Sequence, residues 1–236
     1  MVTISKIELF VLNLELKEPF KAGGQEITTR KILLCHIHDK DGLSAWSECV
    51  ALETPHYLPE TIDTSLVVFE NYIAPLIIGQ NFKTVQDVSL YLSNFIHGHY
   101  MAKAAIEMAC WTIAAIKKNT SLAMFIGGEK KEVATGMAIG LQDSEDILVA
   151  KVKKAVEQGY KKVKVKISPK KDVDYIAAIR DQLGYDIPVM VDANSAYSLD
   201  DSDHLKQFDQ YKLMMIEQPL AWNDILQHRH LQEQLK

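Results

Sequence analysis

Cysteine is scarce in this chain: Cys35, Cys49 and Cys110 are the only three, and no two form a CxxC pair. So odd and sparse a set argues against a disulfide framework and for free thiols in a reducing compartment. Long apolar runs are missing as well. The most apolar stretch, Leu66 to Gly79, is broken by Glu70, Asn71 and Pro75, so no segment reads as a bilayer span. The first residues, Met1-Val2-Thr3-Ile4-Ser5-Lys6, lack the apolar core of a secretion signal. No basic excess exists either: 26 Lys and Arg against 31 Asp and Glu leave a net charge of −5, which gives nucleic acid or an anionic membrane no electrostatic footing. Glycine-rich phosphate loops are absent, since Gly23-Gly24 and Gly127-Gly128 are isolated pairs outside any GxGxxG or GxxxxGK[ST]. What remains is a cytoplasmic protein of small-molecule chemistry, with 236 residues for one large domain or two modest ones.

The first third reads as strands followed by helices. Residues 2–16 and 31–39 are rich in Ile, Leu and Val with partial period-two alternation, and Asp39-Lys40-Asp41-Gly42 is a hairpin turn signal. Helical patterns follow at 60–78, 84–96 and 100–118. In the last, Met101, Ala104, Ala105, Met108, Trp111 and Ala115 share one face and read as core packing. Strands and then helices mark an α+β unit, expected over 1–125.

From residue 126 onward the pattern changes. Short apolar runs, Val133–Ile139, Val163–Ile167, Ile187–Val191 and Leu213–Ile216, alternate with helices at 144–158, 172–183 and 199–209. Ser144 is a good N-cap, and Gly159 and Gly184 are good helix stops. Such a βαβαβαβ series requires a parallel sheet. A barrel and an open doubly wound sheet both fit; the missing glycine fingerprint favours the barrel. The expected fold class is therefore α/β with an α+β cap, the second domain spanning 126–236.

The ends of these strands carry the chemistry. In Val163-Lys164-Val165-Lys166-Ile167, period two puts Lys164 and Lys166 on one face. The next two runs close on Asp192 and Glu217, 26 and 25 residues beyond Lys166 and Asp192 respectively. Taken singly, the lysines fit a solvated basic stretch, Asp192 a helix cap and Glu217 an ordinary strand-end charge. Equal spacing at equivalent strand ends aims all four at one barrel mouth. Carboxylates on rigid strand ends suit Mg²⁺. A substrate carboxylate bound there could become an enediolate while a lysine removes the α-proton. Lys164 would disfavour the charged form of Lys166 and help hold the developing oxyanion.

These motifs, together with Glu18-Pro19-Phe20, Trp46-Ser47-Glu48-Cys49, Gly98-His99-Tyr100-Met101-Ala102-Lys103, Glu107-Met108-Ala109, Val191-Asp192-Ala193-Asn194 and Ile216-Glu217-Gln218-Pro219-Leu220, resemble the enolase superfamily. The resemblance covers essentially the whole chain. It lies in the muconate lactonizing enzyme-like branch, among o-succinylbenzoate synthases and N-succinylamino acid racemases. It implies an enolase-like capping domain before a (β/α) barrel of the TIM type, Mg²⁺ as cofactor and a small-molecule carboxylate as substrate. It implies Lys166 as the base, Lys164 as its electrostatic partner, and Asp192 and Glu217 as metal ligands. Asn194 would orient the ligand shell or the substrate carboxylate. Phe20, in the loop Phe20-Lys21-Ala22-Gly23-Gly24, and Tyr57, in Thr54-Pro55-His56-Tyr57, would shape specificity over the mouth. Ser47 departs from the glycine usual before this glutamate and is expected to alter a turn. The family also needs a third metal carboxylate and a second lysine on later strands, and neither is among these residues. The expectation is a barrel of about four strands, C-terminally truncated, with impaired activity and an open edge that favours a homo-oligomer. The reactions implied are dehydration on the route to menaquinone or racemisation of N-succinylamino acids; a non-catalytic fragment or pseudoenzyme is the rival.

Three HxH pairs, His36/His38, His97/His99 and His228/His230, invite zinc, but no Cys or carboxylate stands at ligand spacing in the sequence. They read as surface or capping histidines. Trp222 reads as loop packing.

Overall fold

Alternating apolar residues in the first fifty positions build three strands, β1 (Ile4–Ala22), β2 (Gln25–Asp39) and β3 (Ser44–Cys49), in the order β1-β2-β3. The computed structural model describes residues 1–22 and 25–236; the expected glycine pair Gly23-Gly24 lies outside the described residues. β2 and β3 are antiparallel, with Leu33 opposite Cys49, Cys35 opposite Ser47 and Ile37 opposite Ala45. Period two sends Leu33, Cys35 and Ile37 into the core and turns His36 and His38 to the other face. The strands outrun their apolar patterns, because pairing satisfies backbone groups whatever the side chains are. Phe20 accordingly sits in β1 rather than in a loop.

The turn at Asp39 forms as expected: the Asp39 N–H donates to the Leu43 carbonyl at 2.7 Å, and Gly42 takes the left-handed φ of +83° that the turn requires. The buried Asp39 carboxylate accepts from the Thr3 N–H (3.1 Å), the Asp41 N–H (2.7 Å) and the Lys117 ammonium (3.0 Å).

The helix expected at 60–78 is α1 (Ile62–Val68), a π-helical turn at Phe69–Ile73 and α2 (Ala74–Ile77). Pro75 has no N–H to donate and its ring crowds the carbonyl one turn back, which accounts for the widened turn before it. Next come α3 (Val85–Phe95), closed at its start by the Thr84/Asp87 capping box, then α4 (Tyr100–Lys117) and the short α5 (Leu122–Phe125). The buried face of α4 is Ala102, Ala105, Ile106, Ala109, Cys110 and Ile113. It is rotated from the expected stripe: Ala104 and Met108 are exposed. Small residues at 102, 105 and 109 allow the close approach to β3 that a row of methionines would prevent. Ser47, inside β3 and not at a turn, donates its hydroxyl to the Ala105 carbonyl at 2.7 Å. The Glu60 carboxylate accepts from the Met101 and Ala102 N–H groups, both at 3.0 Å, and so caps α4.

The second half alternates as expected: β4 (Gly136–Ile139), α6 (Glu145–Glu157), β5 (Lys162–Lys166), α7 (Val173–Leu183), β6 (Val189–Asp192), α8 (Ser202–Leu205), β7 (Ile216–Glu217) and α9 (Ile225–Gln232). The helix expected at 199–209 is broken into α8 between two 3-10 turns. Val133 precedes β4 and is exposed. The four strands are parallel and ordered β4-β5-β6-β7, an incomplete TIM-type barrel. Val163, Val165, Val189 and Val191 pack with Leu148, Val152, Ile176, Ile179 and Phe208 in the core beneath the helices.

By internal contacts the chain forms two units, Met1–Glu15 with Thr29–Lys131 and Leu16–Thr28 with Glu132–Lys236. Each has its own apolar core. Among the described residues no helix is long and apolar enough to cross a membrane.

Candidate active site at the strand ends

β5 buries Val163 and Val165 on its helix side, so Lys164 and Lys166 emerge on the opposite face, half-buried. The parallel register then does the assembly. Lys166 lies beside Asp192, and Asp192 beside Glu217, in one row across three neighbouring strands. Lys166 Nζ donates to Asp192 Oδ2 at 2.6 Å and to Asn194 Oδ1 at 2.5 Å. Lys164 Nζ is 2.7 Å from Asp192 Oδ2 and donates to Glu217 Oε1, also at 2.7 Å. The two lysines, Asp192, Asn194 and Glu217 are therefore one cluster.

The backbone turns sharply to present these groups. Asn194 and Ser195 follow β6 with φ of +45° and +64°, and Gln218 follows β7 with φ of +47°. Non-glycine residues held in this region concentrate at functional sites. Cross-links fix the turns: Ala193 N–H donates to the Glu217 carbonyl (3.0 Å), and Ser195 N–H to the Gln218 carbonyl (2.8 Å).

Asp192 is 1% exposed, and burial alone would raise its pKa. Hydrogen bonds from Lys164, Lys166 and the Asn194 N–H outweigh that and hold it below the usual carboxylate range. Burial likewise works against the charged form of Lys164, but its bonds to Asp192 and Glu217 prevail and raise its pKa. Lys164 is thus a held cation within a cluster of two formal positive and two formal negative charges. As donors, the two carboxylates on adjacent strand ends and the Asn194 carboxamide form a hard oxygen set, which fits Mg²⁺.

Two more expected site residues are Phe20 and Tyr57. Phe20 lines a cavity of about 330 Å³ with Glu18 and Pro19, against β4 and α6. Tyr57 belongs to the first unit, in the turn region after β3, and is 49% exposed.

Two supports carry no motif. Asp172, the N-cap of α7, accepts from the Tyr197 hydroxyl at 2.8 Å and lies 2.8 Å from His204 Nε2, tying down the loop after β6. Burial, then Asp172, raises the Tyr197 pKa. Arg180, buried on α7, donates to the carbonyls of Tyr211, Gly184, Ile187 and Lys212 and so fastens the segments leading into β6 and β7. A buried arginine that has no carboxylate partner among the described residues gives no sequence signal that separates it from a surface one.

Comparison with known proteins agrees with this architecture. Residues 6–127 match the family described as mandelate racemase / muconate lactonizing enzyme, N-terminal domain, and residues 148–236 match the enolase C-terminal domain-like family. The o-succinylbenzoate synthase of Bacillus subtilis (strain 168) is 41% identical over 236 residues, covering 100% of this chain and 63% of its own length. An N-succinylamino acid racemase from an Amycolatopsis species is 32% identical over 99% of this chain and 63% of its own length. A dipeptide epimerase from Cytophaga hutchinsonii, solved with Mg and a dipeptide, superposes with a TM-score of 0.87 at 27% identity, over 100% of this chain and 64% of its own. The chain thus spans a little under two thirds of the length of these relatives. With its cap, its parallel strands and its strand-end cluster accounted for by one architecture, the chain belongs to the mandelate racemase / muconate lactonizing enzyme family of the enolase superfamily.

Proposed function

We propose that the chain carries the proton-abstracting part of an o-succinylbenzoate synthase-like dehydratase that acts α to a carboxylate on the route to menaquinone. The supporting observation is the row Lys166–Asp192–Glu217, with Lys164 bonded to both carboxylates. In its neutral form Lys166 takes the α-proton, and the electrons of the broken C–H bond move into the carboxylate to give an enediolate. Lys164, a cation held by Asp192 and Glu217, offers its charge to the oxygens where negative charge develops. The enediolate then expels the β-hydroxyl group, and the Lys166 ammonium returns the proton to that leaving oxygen, so water departs. Asp192 and Glu217, with Asn194 beside them, are the residues that would hold Mg²⁺, which when bound supplies charge that stabilises the enediolate. Phe20 and Tyr57 remain proposed specificity residues. The proposed domains are the cap at 1–125 and the barrel portion at 126–236, in a cytoplasmic protein.

These residues offer two metal carboxylates, where the family resemblance implies three and a second lysine. The expected behaviour of the 236-residue chain is weak Mg²⁺ binding and little or no turnover. The test is dehydration of a succinyl-bearing cyclohexadiene carboxylate by the chain extended with the C-terminal third of the Bacillus subtilis relative, with Lys166→Ala as control. Dehydration that depends on Lys166 supports the proposal; none, in a folded extended chain that binds Mg²⁺, refutes it. Racemisation of N-succinylamino acids without dehydration would establish the second reading, which the Amycolatopsis relative motivates. Clear turnover by the unextended chain would contradict the expected impairment.

A further inference from the structure

The pairing of β1 with β2 brings a carboxylate to a histidine pair that stands without one in sequence. His36 and His38 share a face of β2, and Glu8 on β1 reaches both: Glu8 Oε2 is 2.7 Å from His38 Nε2 and 3.4 Å from His36 Nδ1. One donor atom from each of the three residues lies within 4.8 Å of the others, and all three side chains are half-buried. We propose that Glu8, His36 and His38 bind a divalent transition-metal ion of the zinc class.

Three further observations support it. The second nitrogen of His36, Nε2, is 3.0 Å from the Ser44 hydroxyl, so the ring is oriented by a partner that leaves Nδ1 facing Glu8, as metal-bound histidines usually are. The same ring stacks on Trp46, with centroids 4.2 Å apart and planes 2° from parallel, which fixes its tilt. Lys6 pairs with the other Glu8 oxygen, Oε1, at 2.6 Å and leaves Oε2 to the histidines. Two imidazoles and a carboxylate form a borderline donor set that suits zinc, nickel or copper, whereas Mg²⁺ prefers oxygens. Three protein ligands leave at least one position for water. An ion here would tie β1 to β2, a role separate from the chemistry proposed at Asp192 and Glu217.

Trp46 supplies the readout. Titrating the 236-residue chain with Ni²⁺ should quench part of its tryptophan emission, saturating at one equivalent, and excess Zn²⁺ should reverse the quench by competition. Glu8→Gln should weaken binding by about ten-fold or more. The pair His36→Ala and His38→Ala should abolish it, and Asp192→Asn should leave it unchanged. Should the histidine variants fail to fold, zinc K-edge absorption on the wild-type chain decides the matter, because two imidazole ligands are expected. No saturable quench, a quench indifferent to Glu8→Gln, or a zinc shell without imidazole would overturn the proposal and leave a histidine–glutamate hydrogen bond alone.

Discussion

Replacing Asp192 by asparagine removes one charge from the centre of the cluster and leaves two ammonium groups facing a neutral amide. The wild-type carboxylate is 1% exposed and has three partners, Lys164 at 2.7 Å, Lys166 at 2.6 Å and the Asn194 N–H at 3.0 Å. Breaking a buried ion pair by removing one partner costs about 3–5 kcal/mol. The low end applies, because Lys164 keeps Glu217 and more than a quarter of its side chain meets solvent. About 3 kcal/mol corresponds to a fall of roughly 10 °C in the melting point for a domain of this size. Calorimetry on the metal-free chain measures it directly. The pH dependence has a definite sign. The folded pKa of Asp192 lies below its unfolded value, so its contribution is present above the unfolded pKa, about 3.9, and is lost as pH falls through the folded one. The gap between wild type and variant should therefore close in acid. A variant that melts within about 1 °C of wild type at neutral pH, a difference of less than about 0.5 kcal/mol, would refute this view of the cluster.

Asp39→Asn should destabilise the first unit by about 3 kcal/mol, with its own gap closing in acid because bonds from the Asp41 and Thr3 N–H groups and Lys117 overcome burial and lower its pKa; thermal melts across pH check this. Arg180→Met should cost about 2–4 kcal/mol, because four carbonyls lose their donor, a loss readable in urea unfolding. Cys35 and Cys110 should resist a thiol reagent in the native chain and react after unfolding, since burial pushes both thiols up to about 12. Sedimentation should show self-association through the strand edges at β4 and β7, and a stable monomer would count against it.

The barrel portion was legible because it depends on periodicity alone. Val163 and Val165 must face the helices, so Lys164 and Lys166 must face away, and 26- and 25-residue spacing then brings Asp192 and Glu217 to the same level. Features that depend on which strands pair, or on local strain, escaped that reading. Glu8 lies 28 residues before His36 and became its neighbour only through β1–β2 pairing. The left-handed turns at Asn194, Ser195 and Gln218 use residues that do not announce them as glycine would. On α4 the expected stripe holds at Met101, Ala105, Trp111 and Ala115, whereas packing turns Ala104 and Met108 outward and selects Ala102 and Ala109 instead. The loop expected at Phe20 rests on the resemblance and not on the residues themselves, and β1 runs through it.

The proposed function depends on Asp192 and Glu217 holding one ion beside the two lysines. Electron paramagnetic resonance of Mn²⁺, a spectroscopic substitute for Mg²⁺, measures this in the 236-residue chain. With the histidine site removed by His36→Ala, one weak, saturable site is expected, lost on adding either Asp192→Asn or Glu217→Gln. A site that survives either carboxylate substitution, or no saturable site at all, would contradict the account.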